Sequence, residues 1–535
     1  MPLPKLDLNT LPYWLSPLKF KVFRTLWMVW LIANICMWMN DVAAAWMMTS
    51  LTSSPLLIAL VQTASNLPVL LLGVPSGALA DILNRKKYFV ITQIWLAANA
   101  TILTLLMVFN LLSAELLLFF TFMNGIGLAM RWPVFAVIVP ELVNREHLAP
   151  ALTLNGLAMN ASRIIGPLIA GILIAGLGSQ YVFGLNMVLC LLTTYVVLQW
   201  KYQHFESALP GERFFGAMRL GIQYVGQSIR IRFILVRAFL FYFQASCVIA
   251  LLPILAKEHF HGNANTFTLL MSSLGLGAII AGSQLPRFRD NFNNNQLANY
   301  GIVALSLSSI CIVLVPTLWE AVPLMIIYGM SWFTVANSLT VTAQFSLPSW
   351  IRARAMSFYQ MSLMGGSALG AAFWGKIAEH SEVVTSVEIA AFFGLLSMFF
   401  IVRLVISGQD DEDLAPVCPL ERPKPSKDID LFEGPVMISI EYHINPQTLE
   451  DFKKIMKQTK VARIKQGALS WSLFSDAENP GQVVEYYVYE TWADYLRRFD
   501  RFTAADLHLQ EERFKFHIDP EPPKIFRRIA TQIKN

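Results

Sequence analysis

An aspartate inside a long apolar stretch is the residue with the most unusual chemistry in this sequence. Asp41 lies within the apolar run 39–43, and the roughly 17 residues that separate it from Arg24 correspond to ~25 Å along a helix. An ionised carboxylate in apolar surroundings costs several kcal/mol unless it is paired, hydrated or protonated. We therefore predict that Asp41 binds and releases a proton, with Arg131 and Arg163 as the cations that would favour release. A static pair with either arginine, or a solvated position, is the alternative.

A second set of residues lies at the end of an apolar stretch, directly before a basic cluster. Gly77 allows close helix contact, and Asp81 can accept N–H bonds at a neighbouring helix terminus. Arg85 can pair with an acid and is followed by Lys86 and Lys87. These residues can therefore bind a neighbouring helix, whereas the two lysines suit a simple role as anchors at the membrane surface.

The composition indicates two parts of different solvent class. The chain has 535 residues, a mean hydropathy of +0.50 and 14% charged residues, against about 25% charged in soluble domains. More than half of the charged side chains lie beyond residue 408. The dispersed basic residues argue against nucleic-acid binding, and the scattered cysteines suggest neither a disulfide framework nor a zinc site. We expect no cofactor and no metal.

Apolar stretches long enough to cross a bilayer dominate the first 408 residues. A spanning helix needs about 20 apolar residues. By this measure the sequence predicts about twelve spans, at 22–49, 55–80, 88–111, 114–139, 149–177, 181–200, 233–255, 267–285, 296–318, 321–347, 355–378 and 384–406.

Positive charge alternates between the connecting loops. Lys and Arg are concentrated in every second loop, and the opposite set contains only Lys257 and Lys376. Because cytoplasmic loops retain positive charge, both termini are predicted to be cytoplasmic. The polar loop 201–232, with an amphipathic segment near 216–229, separates a bundle of six spans at 1–200 from a second bundle of six at 233–408. Weak similarity between the two halves favours an alternating-access transporter.

The motif from Gly77 to Lys87 resembles motif A of the major facilitator superfamily. The resemblance implies that Gly77, Asp81 and Arg85 belong to a conformational latch. Its partners would be the terminus of the eleventh span and an acid at the end of the fourth, where Glu141 matches by position. The run from Arg163 through Gly166 and Pro167 to Gly171 resembles the Gly-Pro motif C of the superfamily's antiporters, although its upstream glycine spacing is incomplete. It can also be a kink and a packing notch alone. Motif B is not evident.

A different kind of chain follows the last predicted span. The stretch 409–433 is acidic and proline-rich, which is typical of a linker. Residues 434–535 predict the order β-α-β-β-α-β, a ferredoxin-like α+β domain, with strands near 435–444, 468–474, 483–490 and 524–529. The helices are predicted at 446–467 and 492–514.

The stretch 467–476 and the segment 491–506 resemble the antibiotic-biosynthesis-monooxygenase-like domains that end the transporters called transmembrane secretion effectors. That group includes exporters similar to the enterobactin exporter of enteric bacteria. The tail lacks a metal cluster, a flavin fingerprint or a clustered acid and base, so we expect a packing, ligand-sensing or dimerising module rather than an enzyme. It would pair two copies of the chain.

The resemblance implies that the substrate cavity is walled by spans 1, 4, 7 and 10. Those spans offer aromatic and amide side chains with few charges, which suits an amphipathic small molecule. The same side chains also fill lipid contacts and interfacial belts. The cavity candidates are Trp38, Trp46, Trp132, Phe243, Gln244, Trp332, Phe333 and Asn337.

The predicted fold is therefore an all-α polytopic membrane protein of twelve transmembrane helices in two six-helix bundles, with a cytoplasmic ferredoxin-like domain. The predicted function is proton-coupled export of an amphipathic small molecule, such as a siderophore or drug, across a bacterial inner membrane. No Walker sequence occurs, so ATP drive is not supported. An importer of the same fold, and a membrane-tethered monooxygenase-like enzyme or sensor, are the alternatives.

Overall fold

The first part of the chain forms six long helices. The computed structural model describes residues 12–200, 214–348, 350–404, 413–415, 417, 423 and 429–531. Residues 201–213 of the predicted central loop and most of the predicted linker lie outside this part. The six helices are α1 Lys21–Leu51, α2 Pro55–Ile82, α3 Arg85–Val108, α4 Ala114–Leu142, α5 Arg145–Gly176 and α6 Ser179–Gln199.

The second part begins with a short amphipathic helix, α7 Phe214–Gln227, close to the segment predicted at 216–229. The long helices that follow are α8 Ile229–Ile254, α9 Ala264–Arg289, α10 Asn294–Leu314, α11 Leu318–Phe345, α12 Arg352–His380 and α13 Val383–Leu404. Within the described residues, 11 helices are long and apolar enough to cross a membrane. Helix α12 is not one of them, so the count of twelve spans stays a prediction.

Local capping explains where several of these helices begin. Ser54 precedes Pro55 and accepts a hydrogen bond from the backbone N–H of Leu57 at the start of α2. Asn293 and Gln296 bond each other's backbone N–H groups at the start of α10, at 2.8 and 3.1 Å. Such caps satisfy N–H groups that have no partner in the first helical turn.

Each half packs mainly on itself. In the first half α2 packs on α4, α1 on α5 and α6, and α3 on α4 and α6. Buried side chains such as Phe23, Phe89 and Val134 form its core. In the second half α10 packs on α13, and α8 lies against α12, where Gly370 meets the backbone of Phe243.

Two helix pairs are among the described contacts that join the halves. Helix α5 packs on α9. Helix α2 lies antiparallel to α12, since Ala59 contacts Gly375 near one end of the pair and Gly77 contacts Ser357 near the other. Between these two contacts each helix advances 18 residues, or ~27 Å, which is close to the ~30 Å hydrocarbon thickness. The α2–α12 contact therefore extends over most of a membrane's depth.

A second compact unit contains residues 214–233, 343–356 and the described part of 407–535. Its tail has strands β1 Val436–His443, β2 Ser470–Ser475, β3 Gln482–Tyr489 and β4 Lys524–Ile529, and helices α14 Leu449–Lys465, α15 Trp492–Asp500 and α16 Ala504–Phe514. The strands form one antiparallel sheet in the order β2-β3-β1-β4. The ferredoxin-like assignment itself stays a prediction.

The prediction of a single helix at 492–514 is wrong, because the structure has two helices there. Helix α15 ends at Asp500, and Thr503 begins α16 by bonding the backbone N–H of Asp506, whose carboxylate accepts the N–H of Thr503 in return. This capping box starts a new helix and thereby ends the earlier one. The apolar periodicity of the segment does not reveal the break.

A buried ion pair lies in the core of the tail. Arg463 Nε lies 2.8 Å from Glu485 Oε1, and the two side chains are 2% and 0% exposed. Tyr442 and Trp471 also donate hydrogen bonds to Glu485. Burial alone would raise the pKa of Glu485, but the charges of Arg463 and Arg513 outweigh burial and lower it to about 2. The carboxylate is therefore charged at neutral pH.

Helix α7 is bound to the tail within this unit. Arg219 Nη2 lies 2.6 Å from Glu490 Oε2, and Gln223 donates a hydrogen bond to the backbone oxygen of Ala468. The ring of Trp350 packs edge-on against Tyr224. The central loop and the α11–α12 connection thus share a unit with the C-terminal domain.

Candidate functional site

The guanidinium of Arg163 lies between two indole rings from different halves of the bundle. Its Cζ atom is 5.3 Å from the ring centre of Trp38 on α1 and 4.6 Å from that of Trp332 on α11. Tyr242 on α8 packs edge-on against Trp332, with 6.0 Å between ring centres. These four side chains, named here the Arg163 cage, come from helices α1, α5, α8 and α11.

The close approach of α5 to α1 positions the first side of the cage. A Cβ atom on Gly166 would lie 2.5 Å from Trp38 Cβ and 3.0 Å from the backbone oxygen of Ile35. Ser162, beside Arg163, donates a hydrogen bond to the backbone oxygen of Leu31. Only glycine permits this contact at position 166, so the motif C-like run holds Arg163 against Trp38.

Asp41 has a single described hydrogen-bond partner, which is Ser65. The Ser65 hydroxyl donates to Asp41 Oδ1 at 2.9 Å and links α1 to α2. Asp41 is partly exposed and forms no ion pair with any residue that the structure describes. The structure therefore does not bring Asp41 into a pair with Arg163 or Arg131.

Arg131 lies apart from both of these groups. It is 2% exposed, donates to the backbone oxygen of Ala33 at 3.3 Å and lies over the Trp30 ring at 5.5 Å. The three residues predicted to handle protons thus occupy three separate positions in the first half.

A polar contact joins the two halves next to Ser65. Gln62 and Asn66 of α2 donate to the hydroxyl of Ser367 on α12, at 2.8 and 3.1 Å. Thr63 donates to the backbone oxygen of Ala368 at 2.7 Å. In apolar surroundings such bonds contribute to helix association, about 0.6 kcal/mol each on average. Four polar residues on one turn of α2 therefore bond both α1 and α12.

The latch residues are only partly described. A Cβ atom on Gly77 would lie 3.7 Å from Ser357 Oγ on α12, and Arg85 is the first residue of α3. Asp81 and Glu141 lie near the ends of α2 and α4, but their side chains are outside the described part. The latch stays a prediction.

The end of the bundle at the α1–α2 turn carries further contacts between the halves. Gly171 packs so closely against Thr268 of α9 that a Cβ atom there would overlap its side chain. Trp46 stacks on Phe267 at 5.4 Å between ring centres, and Lys257 donates to the backbone oxygen of Thr49 at 2.8 Å. Pro167 is buried within α5.

The other predicted cavity residues occupy several environments. Trp132 packs against the core of the first half. In the second half, Phe243 belongs to an aromatic cluster with Trp374, and the buried Gln244 donates to Ser306 at 2.6 Å. Phe333 faces Gly282, and Asn337 accepts a hydrogen bond from Arg289 at 2.7 Å. The cage itself contains Trp38 and Trp332 of the eight candidates.

Tyr242 and the polar residues of α2 are not among the candidates predicted from the sequence. Gln62, Ser65 and Asn66 follow a spacing of three and four residues, which places them on one helix face. That spacing within an apolar stretch was the available signal. Their partners Asp41 and Ser367 are distant in sequence, so only the fold reveals the network. Within the described residues, no group of three His, Cys, Asp or Glu could hold a metal.

Long apolar helices, two halves joined along α2–α12 and α5–α9, and polar groups between them define a multi-pass membrane transporter. A family model described as "Transmembrane secretion effector" matches residues 13–534, and the chain belongs to this family. The family and its relatives are transporters and not enzymes. The likeness of the tail to monooxygenase-like domains stays a prediction.

Two curated relatives are similar at low identity. The Staphyloferrin A transporter of Staphylococcus aureus (strain NCTC 8325 / PS 47) is 22% identical over 251 residues, 47% of this chain and 63% of that protein. The chain thus spans less than two thirds of that relative's length. The enterobactin exporter EntS of Shigella boydii serotype 4 (strain Sb227) is 25% identical over 404 residues, 72% of this chain and 91% of the exporter.

The fold is also similar to solved transporter structures. The crystal structure of nucleoside transporter NupG matches with a TM-score of 0.56 at 15% sequence identity, covering 72% of this chain and 100% of that one. At this identity the likeness supports the fold alone.

Proposed function

We propose that this protein is a proton-coupled exporter that moves an amphipathic small molecule by alternating access. The family and the similarity to an enterobactin exporter support export. The observation that carries the proposal is Asp41, a partly exposed carboxylate within a spanning helix whose described partner is a neutral hydroxyl. Such a group is a functional candidate by default.

Proton coupling requires that substrate movement and proton movement depend on the same conformational change. Ser65 bonds Asp41, and the next residue along α2, Asn66, bonds Ser367 in the other half. A proton on Asp41 changes the charge next to Ser65 and so changes the environment of the α2–α12 contact. This arrangement supports coupling between protonation and the relative position of the halves.

The membrane arrangement belongs to the same proposal. With α12 counted as a span, twelve helices cross a bacterial inner membrane, and the distribution of Lys and Arg assigns both termini to the cytoplasm. The bundles correspond to 1–200 and 233–408, joined by the loop 201–232. After the linker 409–433, residues 434–535 form a ferredoxin-like cytoplasmic domain that pairs two chains.

Transport of a panel of amphipathic compounds tests the function. Cells with and without the gene are compared for accumulation, and purified protein in liposomes is compared with and without an imposed pH gradient. Export predicts lower accumulation in cells that carry the gene, and proton coupling predicts uphill movement only with the gradient. Higher accumulation would favour the importer, and movement that ignores the gradient would contradict proton coupling.

A further inference from the structure

We infer that the Arg163 cage is the binding site for the anionic group of a planar, amphipathic substrate. This inference rests on the proposed transport function and adds the charge and shape of the substrate. Arg163 supplies the charge that recognises the anion, and the indole rings of Trp38 and Trp332 supply flat surfaces for the rest of the molecule.

The first support is the position of the cage between the halves. Trp38 belongs to the first half and Trp332 to the second, and Arg163 contacts both rings. Substrate sites of alternating-access transporters lie between the two repeats. A ligand held by these three residues would touch both halves at once, so its binding would depend on their relative position.

The second support is the missing counter-ion. Arg163 forms no hydrogen bond or ion pair with the residues that the structure describes, and its buried Nε atom has no acceptor. A cation within a membrane bundle is costly unless it is paired. Asp41, which follows Trp38 by three residues on α1, is bonded to Ser65 instead. An anionic ligand would supply the charge and the acceptors that Arg163 lacks.

Two more deeply buried arginines of the helix bundle, Arg131 and Arg237, provide a comparison. Arg237 donates three hydrogen bonds to Asn295 and Asn299, and Arg131 donates to the backbone of Ala33 inside the core of the first half. Both are held within one half by protein acceptors. Each of the three arginines has a buried Nε without an acceptor, and Arg131 also lies over an indole ring. Arg163 differs because the structure describes no protein acceptor for any of its donors and because its two rings come from different halves.

The chemistry of the cage favours a carboxylate or a similar pair of anionic oxygens. A guanidinium presents parallel N–H groups that match two oxygens in one plane. The rings stack on planar groups and interact with cations through their faces. Because Arg163 already places positive charge over one face of each ring, an organic cation bound beside it would be repelled.

Binding of three probes that share one ring system tests the inference. The probes are 2-naphthoate, 2-naphthamide and 2-naphthylmethylammonium, and affinity for the purified full chain is measured by titration calorimetry at pH 7. We expect 2-naphthoate to bind at least about tenfold more tightly than the amide, and the ammonium compound to bind most weakly. Absence of naphthoate binding, or equal affinity for all three probes, would overturn the inference.

Substitutions locate the effect. Arg163→Met should remove the preference for the anion, Arg163→Lys should keep part of it, and Arg287→Met, which removes an exposed cation at the end of α9, should retain it in full. A preference that persists in Arg163→Met would also overturn the inference. If Arg163→Met does not fold, the comparison of the three probes on the unmodified chain still decides.

The test is separate from that of the proposed function. It measures binding without a proton gradient, so a chain that binds naphthoate through Arg163 but transports nothing would contradict the function and leave the cage in place. A chain that exports compounds yet shows no preference for the anion would contradict the inference about the Arg163 cage and leave the proposed function in place.

Discussion

The hydroxyl of Ser65 donates to the carboxylate of Asp41 at 2.9 Å, and the next residue, Asn66, bonds Ser367 of the other half. Two adjacent residues of α2 therefore contact the partly exposed acid of α1 and the interface with α12. This short path gives a physical reason why the charge on Asp41 would affect the contact between the halves.

Replacement of Asp41 by Asn is expected to abolish proton-driven uphill export and to preserve substrate binding, because the amide keeps the volume but cannot carry the proton. Transport by purified protein in liposomes under an imposed pH gradient measures the first effect, and calorimetry measures the second. Ser65→Ala is the matched control, since it retains the carboxylate, and it should transport with an altered pH dependence. Uphill transport by Asp41→Asn with the original pH dependence would make Asp41 structural.

The latch predicts strong loss of transport in Asp81→Asn at normal protein level. The change removes a charge that biases one conformation without a large change in packing. Reversal of charge at both Arg85 and Glu141 should restore part of the activity that either single reversal loses. Transport assays at equal expression check both effects, and normal activity of Asp81→Asn would remove this residue from the mechanism.

Tight packing at Gly375 makes the α2–α12 contact sensitive to one methyl group. A Cβ atom there would lie 2.5 Å from Ala59 Cβ, whereas one on Gly184 of α6 meets no atom within 4 Å. Gly375→Ala should weaken this contact by about 1–3 kcal/mol through overpacking, and Gly184→Ala should have little effect.

Spin labels at Thr52 and Ser381 measure the consequence at this end of the bundle. These positions flank the bond between Ser54 and Glu379. The distance between the labels should lengthen or broaden in Gly375→Ala and stay unchanged in Gly184→Ala. Identical distances in the two variants would mean that the contact tolerates the methyl group.

The buried pair in the tail predicts a large loss of stability in Glu485→Gln. The neutral amide would leave Arg463 buried without a counter-ion, a change that costs about 3–5 kcal/mol. The exposed pair of Glu450 with Lys453 provides the control, because Glu450→Gln should have little effect. Proteolytic release of the tail from the full chain, followed in increasing urea, measures the difference. Equal resistance of the two variants would contradict a stabilising role for the pair.

The same pair predicts the acid stability of the tail. The folded pKa of Glu485, about 2, lies below its ordinary value of 4.5. The contribution of the carboxylate is therefore fully present above pH 4.5 and is lost as the pH falls from there toward 2. The rate at which pepsin digests the tail of the unmodified chain should therefore rise as the pH falls from 4.5 toward 2. In Glu485→Gln this pH-dependent rise should be absent, because the variant has no carboxylate at position 485 to protonate.

The C-terminal fragment 434–535 is expected to fold alone and to dimerise. Phe474 on β2 and Phe526 on β4 are 57% and 36% exposed, and they lie on the sheet face opposite the tail's core. Exposed aromatic side chains on a sheet face are typical of a surface that pairs with another copy. Sedimentation of the fragment measures its mass, and a monomer would contradict the prediction.

The sequence by itself determined the features that depend on local pattern. The length of the apolar stretches predicts helices that are long enough to cross a bilayer. Alternation of apolar and polar residues predicts the four strands of the tail within one or two residues. Both patterns can be read from consecutive residues, because the order of apolar and polar side chains depends on which faces of the element are buried. The boundary between α15 and α16 is not visible in this pattern, because the apolar period continues through the capping bond of Thr503 with Asp506. Hydropathy alone also leaves α12 undecided as a span.

The tertiary structure alone decided which polar groups meet. Sequence pattern could single out Asp41 and Arg163 as charges in apolar stretches, but it left open whether they pair. In the fold, Ser65 donates a hydrogen bond to Asp41, and Arg163 lies between Trp38 and Trp332, which are distant in the chain. Such contacts follow from how helices pack, as at Gly166 against α1, and the energy of packing depends on surfaces that no local window of sequence contains.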